Sequence, residues 1–445
     1  MTAKLRPREL PSQAIEMTEW DNIGPNIDSR LKHVSLADDA SARKIANTLR
    51  KKIDIREGYD GLEISTTSFV GCVDVGPIRL AITPKLAALP LTRLLRYAYG
   101  LRDLSIIQET IAPTARHGLH DLLIEMLAAE MDELLHRGLA RHYVPQEDRL
   151  ESPRGALLIA EFVKRAGVTE ARLPCRYFER LADWHLNRVL RAGVLFAAQM
   201  TEDRTLRHRL FRSADMFGNV TVKATVNARD IDLAERGLTR LTQFCSSALS
   251  IIRLLHDMRG VAFDSGGIAT TTPGFLFDMN AFFQRLLSRF LHENLSTRRI
   301  QDEFVLRGAF AYALGANPKR RAAPKPRPDF GLFERNTLAG FLDAKYRDIW
   351  ERGFPADWLY QASIYALASP VRVCVLLYAT MHEEACDEKI NIQQPMAWSN
   401  DLPGSVILRP VSLLKMATLL STPNAVSTIA ARRRWADELV RLSTG

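Results

Sequence analysis

The chain has 445 residues, more than a single hydrophobic core usually supports, so we expect two or three domains. Hydrophobic residues make up 47% of the sequence and charged residues 25%, a balance that excludes a mainly disordered chain. The formal net charge of +9 favours a polyanionic partner such as nucleic acid, although charge alone does not identify one.

Targeting signals and the spacing of the cysteines give further information on the class of protein. The first residues, MTAKLRPREL, lack the apolar core of a signal peptide, and apolar stretches such as 373–381 are too short to span a bilayer. We therefore expect a cytoplasmic protein with no membrane partner. The cysteines are far apart and form no CxxC pair, which predicts buried thiols rather than disulfides or a zinc site. They are Cys72, Cys175, Cys245, Cys374 and Cys386.

The amino-terminal part of the chain, residues 1–110, is predicted to be rich in β-structure. A helix is expected around residues 41–51. Residues 61–86 contain many β-branched side chains, a Gly-Pro turn signal, and apolar residues that alternate at Ile78, Leu80 and Ile82. This pattern predicts a small β-meander.

The middle part, residues 111–271, is predicted to be mainly helical. Apolar residues recur at helical spacing in segments 119–137 and 184–200, and irregular loops are expected at 145–155 and 213–226. Arg176, Asn187 and Arg188 lie in this part as either functional residues or hydrogen-bonding core residues. The Gly- and Thr-rich run 260–274 is the expected boundary with the last domain.

The last domain, residues 272–445, is predicted to have the order αβββαβ, so the fold class is mixed α/β. Its continuous apolar run VRVCVLLYA is typical of a strand that is buried on both faces. The expected elements are a helix at 278–295, a strand near Phe304, strands at 329–335 and 338–346, a helix at 356–368 and a strand at 371–379.

Asp329, Asp343 and Lys345 form the constellation that carries chemistry. Residues two apart on a strand share a face, so Asp343 and Lys345 project together. A two-residue turn at Asn336 and Thr337 would send Asp329 to the other face, and we therefore predict an odd-length turn or a bulge. Carboxylate oxygens hold Mg²⁺, which activates water for phosphodiester hydrolysis, and a lysine steers the water or balances charge. The two aspartates are thus predicted metal ligands.

The next helix carries Gln361 and Tyr365 one turn apart on a single face. Together with Asp329, Asp343 and Lys345, this pair forms a pattern that resembles that of the PD-(D/E)xK nuclease superfamily. Gln361 and Tyr365 themselves resemble the QxxxY motif of RecB-like nucleases. A finer resemblance is to the McrC family, the endonuclease subunits of McrBC 5-methylcytosine restriction systems. It rests on FVGCVDVGPIRLAITPKL, LPCRYFERLADWHLNRVL, and MNAFFQRLL followed by RPDFGLF, LDAKY and LYQASIYA.

The resemblance implies a Mg²⁺-dependent endonuclease, with Mn²⁺ as a substitute ion, that cuts methylated or otherwise modified double-stranded DNA. It also implies a partner, a hexameric AAA+ GTPase or ATPase motor resembling McrB, with residues 61–86 and the following helices as the docking arm. The chain has no G-x-x-x-x-G-K-[ST] phosphate loop of its own. One position departs from the family pattern: Gln284 occupies the place where such nucleases often carry a glutamate. We predict that Gln284 is a third metal ligand, one that is neutral instead of acidic.

A basic loop precedes Asp329 and is predicted to hold DNA phosphates without reading bases. Its cations are Lys319, Arg320, Arg321, Lys325 and Arg327. Two other functions remain open: a RecB-like repair or processing nuclease that acts without a motor, and a non-catalytic AAA+ adaptor whose nuclease site is weakened at Gln284.

Overall fold

The structure is a computed structural model that describes residues 13–101, 119–164, 172–201, 203–221, 226–258, 274–393, 403–422 and 426–443. It is a mixed α/β protein, as predicted. The chain divides into two compact units, the first made of Met1–Leu101 with Arg259–Gly445 and the second of Arg102–Met258. The predicted domain boundaries at 110/111 and 271/272 lie outside the described residues, so the three-domain division stays a prediction.

The amino-terminal part of the first unit forms two small sheets. One has the strand order β2-β4-β3 and the other β1-β6-β5-β10. The predicted helix near 41–51 is present as α1, because Asp39 caps it by accepting hydrogen bonds from the backbone of Ser41 and Ala42. The elements are β1 (Gln13–Thr18), β2 (Asn22–Ile23), α1 (Ala40–Leu49), β3 (Ile53–Gly58), β4 (Gly61–Thr66), β5 (Phe69–Val75), β6 (Ile78–Thr83) and α2 (Ala88–Tyr99). The strands of the predicted β-meander are present, but the meander itself is wrong: β5 and β6 pair as a hairpin, whereas β4 pairs with β3 in the other sheet.

A strand from the carboxyl-terminal part completes the second of these sheets. Strand β10 (Gly274–Asp278) pairs antiparallel with β5, with Gly71 opposite Leu276. Gly71 has a φ of +138°, and a Cβ atom there would lie 2.2 Å from the carbonyl oxygen of Phe275. The pairing therefore depends on a glycine at this position.

The rest of the first unit is built on a six-stranded sheet of order β11-β12-β13-β14-β16-β15. The predicted αβββαβ order is observed, with one short extra helix before the second long one, and the strand expected near Phe304 is β11. The elements are α9 (Met279–Asn294), β11 (Arg298–Asp302), β12 (Phe330–Glu334), β13 (Thr337–Lys345), α10 (Ile349–Arg352), α11 (Ala356–Ala368), β14 (Val373–Thr380), β15 (Glu388–Asn391), β16 (Ser405–Ser412), α12 (Leu413–Ser421) and α13 (Val426–Leu439).

The centre of this sheet is parallel and buried. Strand β14 runs parallel to both β13 and β16, and all but its first residue is buried, as the apolar run predicted. Helix α11 covers one face, where its Tyr365 packs with Phe341, Cys374 and Tyr378 in a single core cluster. The carboxyl ends of parallel strands form a crevice in which ligands of α/β proteins usually bind.

The second unit contains a group of helices and a three-stranded sheet of order β7-β9-β8. The helices predicted at 119–137 and 184–200 are present as α3 and α5. Its elements are α3 (Leu119–Arg137), β7 (His142–Leu150), β8 (Ala156–Leu157), α4 (Ile159–Lys164), β9 (Leu173–Leu181), α5 (His185–Met200), α6 (Arg204–Asp215), α7 (Ala228–Arg236) and α8 (Ser246–Met258).

Two of the expected loops were placed wrongly. Residues 145–150 belong to strand β7, which pairs with β9 from Leu150 back to His142. Pro145 and the charged residues beside it hid this strand, yet an edge strand accepts a proline because one side of it needs no partner. The loop expected at 213–226 begins later, since α6 continues to Asp215, and residues 222–225 lie outside the described residues. So does most of the predicted boundary run 260–274.

Side chains of the middle segment have structural partners. Asn187 is fully buried, and its amide donates to the carbonyls of Ala140 and Ala182 at 2.7 Å each. Arg176 pairs with Glu147, and Arg188 forms a two-point ion pair with Asp183. Each of the three residues therefore has a partner within the fold, and a functional role for them stays a prediction.

The cysteines are all free, and three of them are buried as expected. The expectation of buried thiols was wrong for Cys386, which is exposed, and only partly right for Cys72, which is half-buried. No helix in the described part of the chain is both long and apolar enough to cross a bilayer.

Candidate active site

A β-bulge sets the geometry of the candidate site. Near the hairpin turn Glu334 pairs with Thr337, but beyond a register shift Phe330 pairs with Leu342, which puts Asp329 opposite Asp343. The predicted bulge is therefore confirmed, while the turn lies at Arg335 and Asn336, one residue earlier than expected. Both turn residues have positive φ, as two-residue hairpin turns require.

The bulge brings the predicted acidic and basic groups together. Lys345 Nζ lies 2.7 Å from Asp343 Oδ2, and Asp343 is only 2% exposed. Asp329 Oδ2 accepts a hydrogen bond of 2.7 Å from the backbone N–H of Ala344, on the strand that carries the other two residues. Asp329, Asp343 and Lys345 thus share one small, largely buried volume.

Both carboxyl groups are held in surroundings that disfavour their charged forms. The pKa of Asp329 is raised, first by burial and then by the charge of Asp343, while the Ala344 N–H and Lys345 act in the opposite direction. Burial also raises the pKa of Asp343, and Lys345 offsets part of that effect. Two ionised carboxylates here need more positive charge than one lysine supplies, so the arrangement suits a bound cation.

Gln361 and Tyr365 lie beside this pair on α11. The Gln361 amide donates a hydrogen bond of 2.8 Å to the hydroxyl oxygen of Tyr365. Burial raises the pKa of Tyr365 to about 12, and the charges of Asp343 and Asp329 contribute in the same direction, which places the hydroxyl within their electrostatic reach. Of the two residues predicted from the QxxxY spacing, Tyr365 is therefore a neighbour of the carboxylates, and Gln361 is bonded to it.

Asp329 and Asp343 are the two side chains at this site that could bind a metal ion. Within the described ranges no group of three or more His, Cys, Asp or Glu side chains converges on one point. Mg²⁺ is commonly held by one or two carboxylates, with water and substrate phosphate oxygens completing its shell, so the residues present fit such an ion. Glu303 is a further acidic neighbour, since its backbone N–H donates to the Asp329 carbonyl and its charge raises the pKa of Asp329.

Gln284, the predicted third ligand, is half-buried on α9. Helix α9 begins at the cap residue Asp278 and presents Phe283 to the ring of Tyr346, at 6.1 Å between ring centroids. In the part of the chain that the structure describes, no hydrogen bond joins Gln284 to Asp329 or Asp343. Its role as a ligand stays a prediction.

The predicted DNA-binding loop is fully open to solvent. All five of its cations are exposed, and none forms an ion pair with a residue whose position is described. Asn317 shapes the loop by exchanging hydrogen bonds with the backbone of Arg321. The loop returns to the sheet where Leu306 donates to the Pro326 carbonyl, directly before Asp329. Its members are Lys319, Arg320, Arg321, Lys325 and Arg327.

Residues that follow β1 contact the end of β13, a relation that no sequence motif predicted. Trp20 Nε1 donates to the carbonyl of Tyr346 at 3.0 Å, and the Tyr346 hydroxyl donates to Glu19 Oε1 at 2.9 Å. The backbone N–H of Tyr346 donates to Asn280 at the start of α9. Tyr346 directly follows Lys345, so these contacts fix the strand next to the site. The contacts of Tyr346 with Trp20 and Glu19 join residues more than 300 positions apart, which no local pattern can reveal.

Together the fold and the site define a mixed α/β protein with an acid and lysine cluster on a central strand. The family model described as McrBC 5-methylcytosine restriction system component matches residues 64–379. The chain belongs to this family. The match spans both units and includes all the clustered residues discussed above except Glu19 and Trp20.

Solved structures with a similar fold come from Thermococcus gammatolerans. One is described as a refined half-complex from a tetradecameric assembly of McrB AAA+ hexamers with bound McrC; the match has a TM-score of 0.59 and 19% identity, and it covers 96% of this chain and 100% of that one. Another, described as the cryo-EM structure of the McrBC complex, matches with a TM-score of 0.45 and 20% identity over 64% of this chain and 89% of that one. The first likeness concerns the fold. No curated protein is significantly similar in sequence.

Proposed function

We propose that the chain is the nuclease subunit of a modification-dependent restriction system and hydrolyses phosphodiester bonds of methylated or otherwise modified DNA. The observation that carries the proposal is the bulge-set register, which puts Asp329 opposite Asp343 beside Lys345 in a member of the McrBC family. The αβββαβ order with Gln361 and Tyr365 on the second long helix supports assignment to the PD-(D/E)xK superfamily.

Asp329 and Asp343 would hold Mg²⁺, or Mn²⁺ in its place. When bound, the ion supplies an activated water and charge neutralisation at the phosphate. Lys345 keeps its ammonium between the Asp343 carboxylate and the Trp358 ring, whose centroid lies 5.6 Å from Nζ. From there it orients the attacking water or offsets charge that develops on the phosphate oxygens.

Gln361 and Tyr365 have a positioning role in this proposal. Because the Tyr365 oxygen accepts the hydrogen bond from Gln361, its own hydroxyl hydrogen stays available to a carboxylate or phosphate oxygen. Burial keeps this hydroxyl protonated, since the pKa of Tyr365 is about 12. The pair thus acts as a fixed donor at the edge of the site.

The basic loop is the proposed DNA-backbone clamp. Its five exposed cations have no competing carboxylates among the described residues, so each is available to a phosphate. Contacts of this kind position the duplex without reading its sequence. Recognition of the modified base is therefore assigned to a partner.

The proposed partner is a hexameric AAA+ GTPase or ATPase. The chain with the similar fold belongs to an assembly described as McrB AAA+ hexamers with bound McrC, and this sequence has no phosphate loop of its own. We place the docking surface on residues 61–86. These strands lie in the same compact unit as the candidate site, and Tyr346 is bonded to Glu19 and Trp20 beside them.

Plasmid cleavage tests the proposal. Methylated and unmethylated plasmid are incubated with the wild type, the cognate motor and its nucleotide, with Mg²⁺ or with EDTA. We expect cutting of the methylated plasmid only, and only with Mg²⁺. Asp343→Asn should abolish cutting, while Glu161→Gln, which neutralises an exposed carboxylate of the second unit, should leave it unchanged. Metal-independent cutting, or full activity of Asp343→Asn, would contradict the proposal.

A further inference from the structure

Arg347 lies just beyond the carboxyl end of β13, the strand that carries Asp343 and Lys345. It follows Lys345 by two residues, as Lys345 follows Asp343, and the ring of Trp358 lies beneath both cations. The distances to its centroid are 5.6 Å from Lys345 Nζ and 5.9 Å from the Arg347 guanidinium carbon. A second ring, Trp20, lies 5.2 Å from the same guanidinium. Two tryptophans therefore hold Arg347 next to the proposed catalytic lysine.

Arg347 has no counter-ion in the described ranges. Its Nε is buried and has no hydrogen-bond partner, and no carboxylate lies within ion-pair distance of the group. Its pKa is lowered, first by burial and then by the positive charge of Arg352. A buried N–H group without a hydrogen-bond partner is costly, and an anion from outside the chain would supply the missing acceptor.

The guanidinium lines a cavity of about 210 Å³ at the carboxyl ends of β13 and β14. The acidic groups of this cavity already have partners. Asp348 accepts from the Thr380 hydroxyl at 2.7 Å, Glu351 lies 3.6 Å from Lys85 Nζ, and Glu19 accepts from the Tyr346 hydroxyl and the Lys85 backbone. These carboxylates are therefore not partners of Arg347, and its guanidinium is available to bind an anion from outside the chain.

The cavity identifies that anion. Asp329, Asp343 and Lys345 are not among the residues that line it, so a phosphate bound by Arg347 in this cavity is a different group from the scissile phosphate at the aspartates. The planar, pre-oriented guanidinium matches the two-oxygen face of a phosphate better than a lysine would. We propose that Arg347 binds the DNA phosphate adjacent to the scissile one, an inference that rests on the proposed nuclease function.

The test is the salt dependence of DNA binding by the full chain, measured by fluorescence anisotropy with a labelled duplex, alone and with the AAA+ partner. Arg347→Gln should lower the slope of log K against log salt by about 1, and weaken binding about 10-fold at moderate salt. Arg347→Lys should keep the slope. Arg434→Gln, which removes an exposed arginine from α13, is the matched control and should behave as the wild type.

Cleavage kinetics separate binding from folding defects. In the assembled system Arg347→Gln should raise KM for DNA more than it lowers kcat, with an unchanged thermal unfolding midpoint, and Arg347→Lys should restore most of KM. Free nucleotide is another source of phosphate, so GTP and ATP are added as competitors. Nucleotide that displaced DNA from the wild type but not from Arg347→Gln would assign the site to nucleotide and overturn the inference.

The outcomes distinguish the proposed phosphate site at Arg347 from the proposed nuclease function on which it rests. Wild-type binding and cutting with an unchanged slope and KM in Arg347→Gln would overturn the phosphate site and leave the nuclease standing. Failure of the wild type to bind DNA, both alone and with the partner, would overturn the proposed function together with the inference.

Discussion

Lys345 is held by two neighbours that together restrict its ammonium group. Asp343 attracts it at 2.7 Å, and the Trp358 ring lies 5.6 Å from Nζ, so the side chain is fixed before substrate arrives. A cation held in place at a site that excludes water stabilises developing negative charge without reorganising. Its contribution should therefore appear in kcat rather than in folding.

Lys345→Gln should lower the cleavage rate about 100-fold or more, because one preorganised charge-stabilising group is removed. The rate is measured on methylated plasmid with saturating Mg²⁺ and motor. Lys389→Gln removes an exposed lysine from β15 and is the matched control. A Lys345→Gln enzyme that cuts at the wild-type rate would remove Lys345 from the catalytic set.

Glu19 makes the stability of the chain depend on pH. Burial raises its pKa from 4.5 to about 7, although hydrogen bonds from the Lys85 backbone and Tyr346 partly oppose this. Between pH 4.5 and 7 the folded chain therefore binds a proton that the unfolded chain has released. Stability from this group is greatest at low pH and is lost as the pH rises through the folded value.

Glu19→Gln should remove this pH dependence, because an amide keeps the hydrogen bonds and carries no charge. Relative to the wild type, the variant should gain free energy of unfolding on the order of 3 kcal/mol between pH 5 and pH 8. Urea denaturation at both values measures the difference, in which the titration of Asp329 and Asp343 cancels. Glu63→Gln, at an exposed position of β4, should show no such gain, and an equal gain in both variants would refute the assignment to Glu19.

The predicted catalytic residues were visible in the sequence because their relation is local. Asp343 and Lys345 are two apart on one strand, Gln361 and Tyr365 are one turn apart on one helix, and Asp329 lies across a single hairpin. Glu19 and Trp20 could not be found in this way, since only the tertiary fold brings them to Tyr346.

Among the elements, the β12–β13 hairpin shows which features a sequence pattern predicts and which it does not. The need for Asp329 and Asp343 to share a face predicted a bulge, and the bulge is present, but the turn position was wrong by one residue. The turn was expected at Asn336 and Thr337, whereas the actual turn begins at Arg335, which is not a typical turn residue. Strand β7 was missed for a similar reason, because burial alternation is weak where most side chains are exposed.

The β5–β10 pairing offers a test at this scale. Gly71→Ala would put a Cβ 2.2 Å from the Phe275 carbonyl oxygen at a φ of +138°, so the strands must separate or shift. We expect a loss of about 1 to 3 kcal/mol in the free energy of unfolding, measured by urea denaturation. Gly24→Ala, where the nearest atom is a flexible side chain at 3.4 Å, should be nearly neutral. Equal stability of the two variants would show that this close approach is not required.

At the scale of the whole molecule, the first unit is assembled from both ends of the chain. Residues 13–101 and 274–443 share a sheet through β10, and the contacts of Tyr346 join the amino-terminal strands to the strand that carries Asp343 and Lys345. A motor that docks on residues 61–86 would therefore bind the unit that carries the candidate site. Composition predicted several domains but not this interleaving, because strand pairing between distant segments leaves no local signal.

The most direct measurement follows DNA cutting and nucleotide hydrolysis together, in mixtures of the motor with the wild type or Asp343→Asn, on methylated plasmid with Mg²⁺. The account predicts that both chains stimulate hydrolysis equally, because Asp343 lies outside the proposed docking strands, and that only the wild type cuts. Stimulation by both chains without cutting by either would contradict the nuclease assignment and leave an AAA+ adaptor as the function.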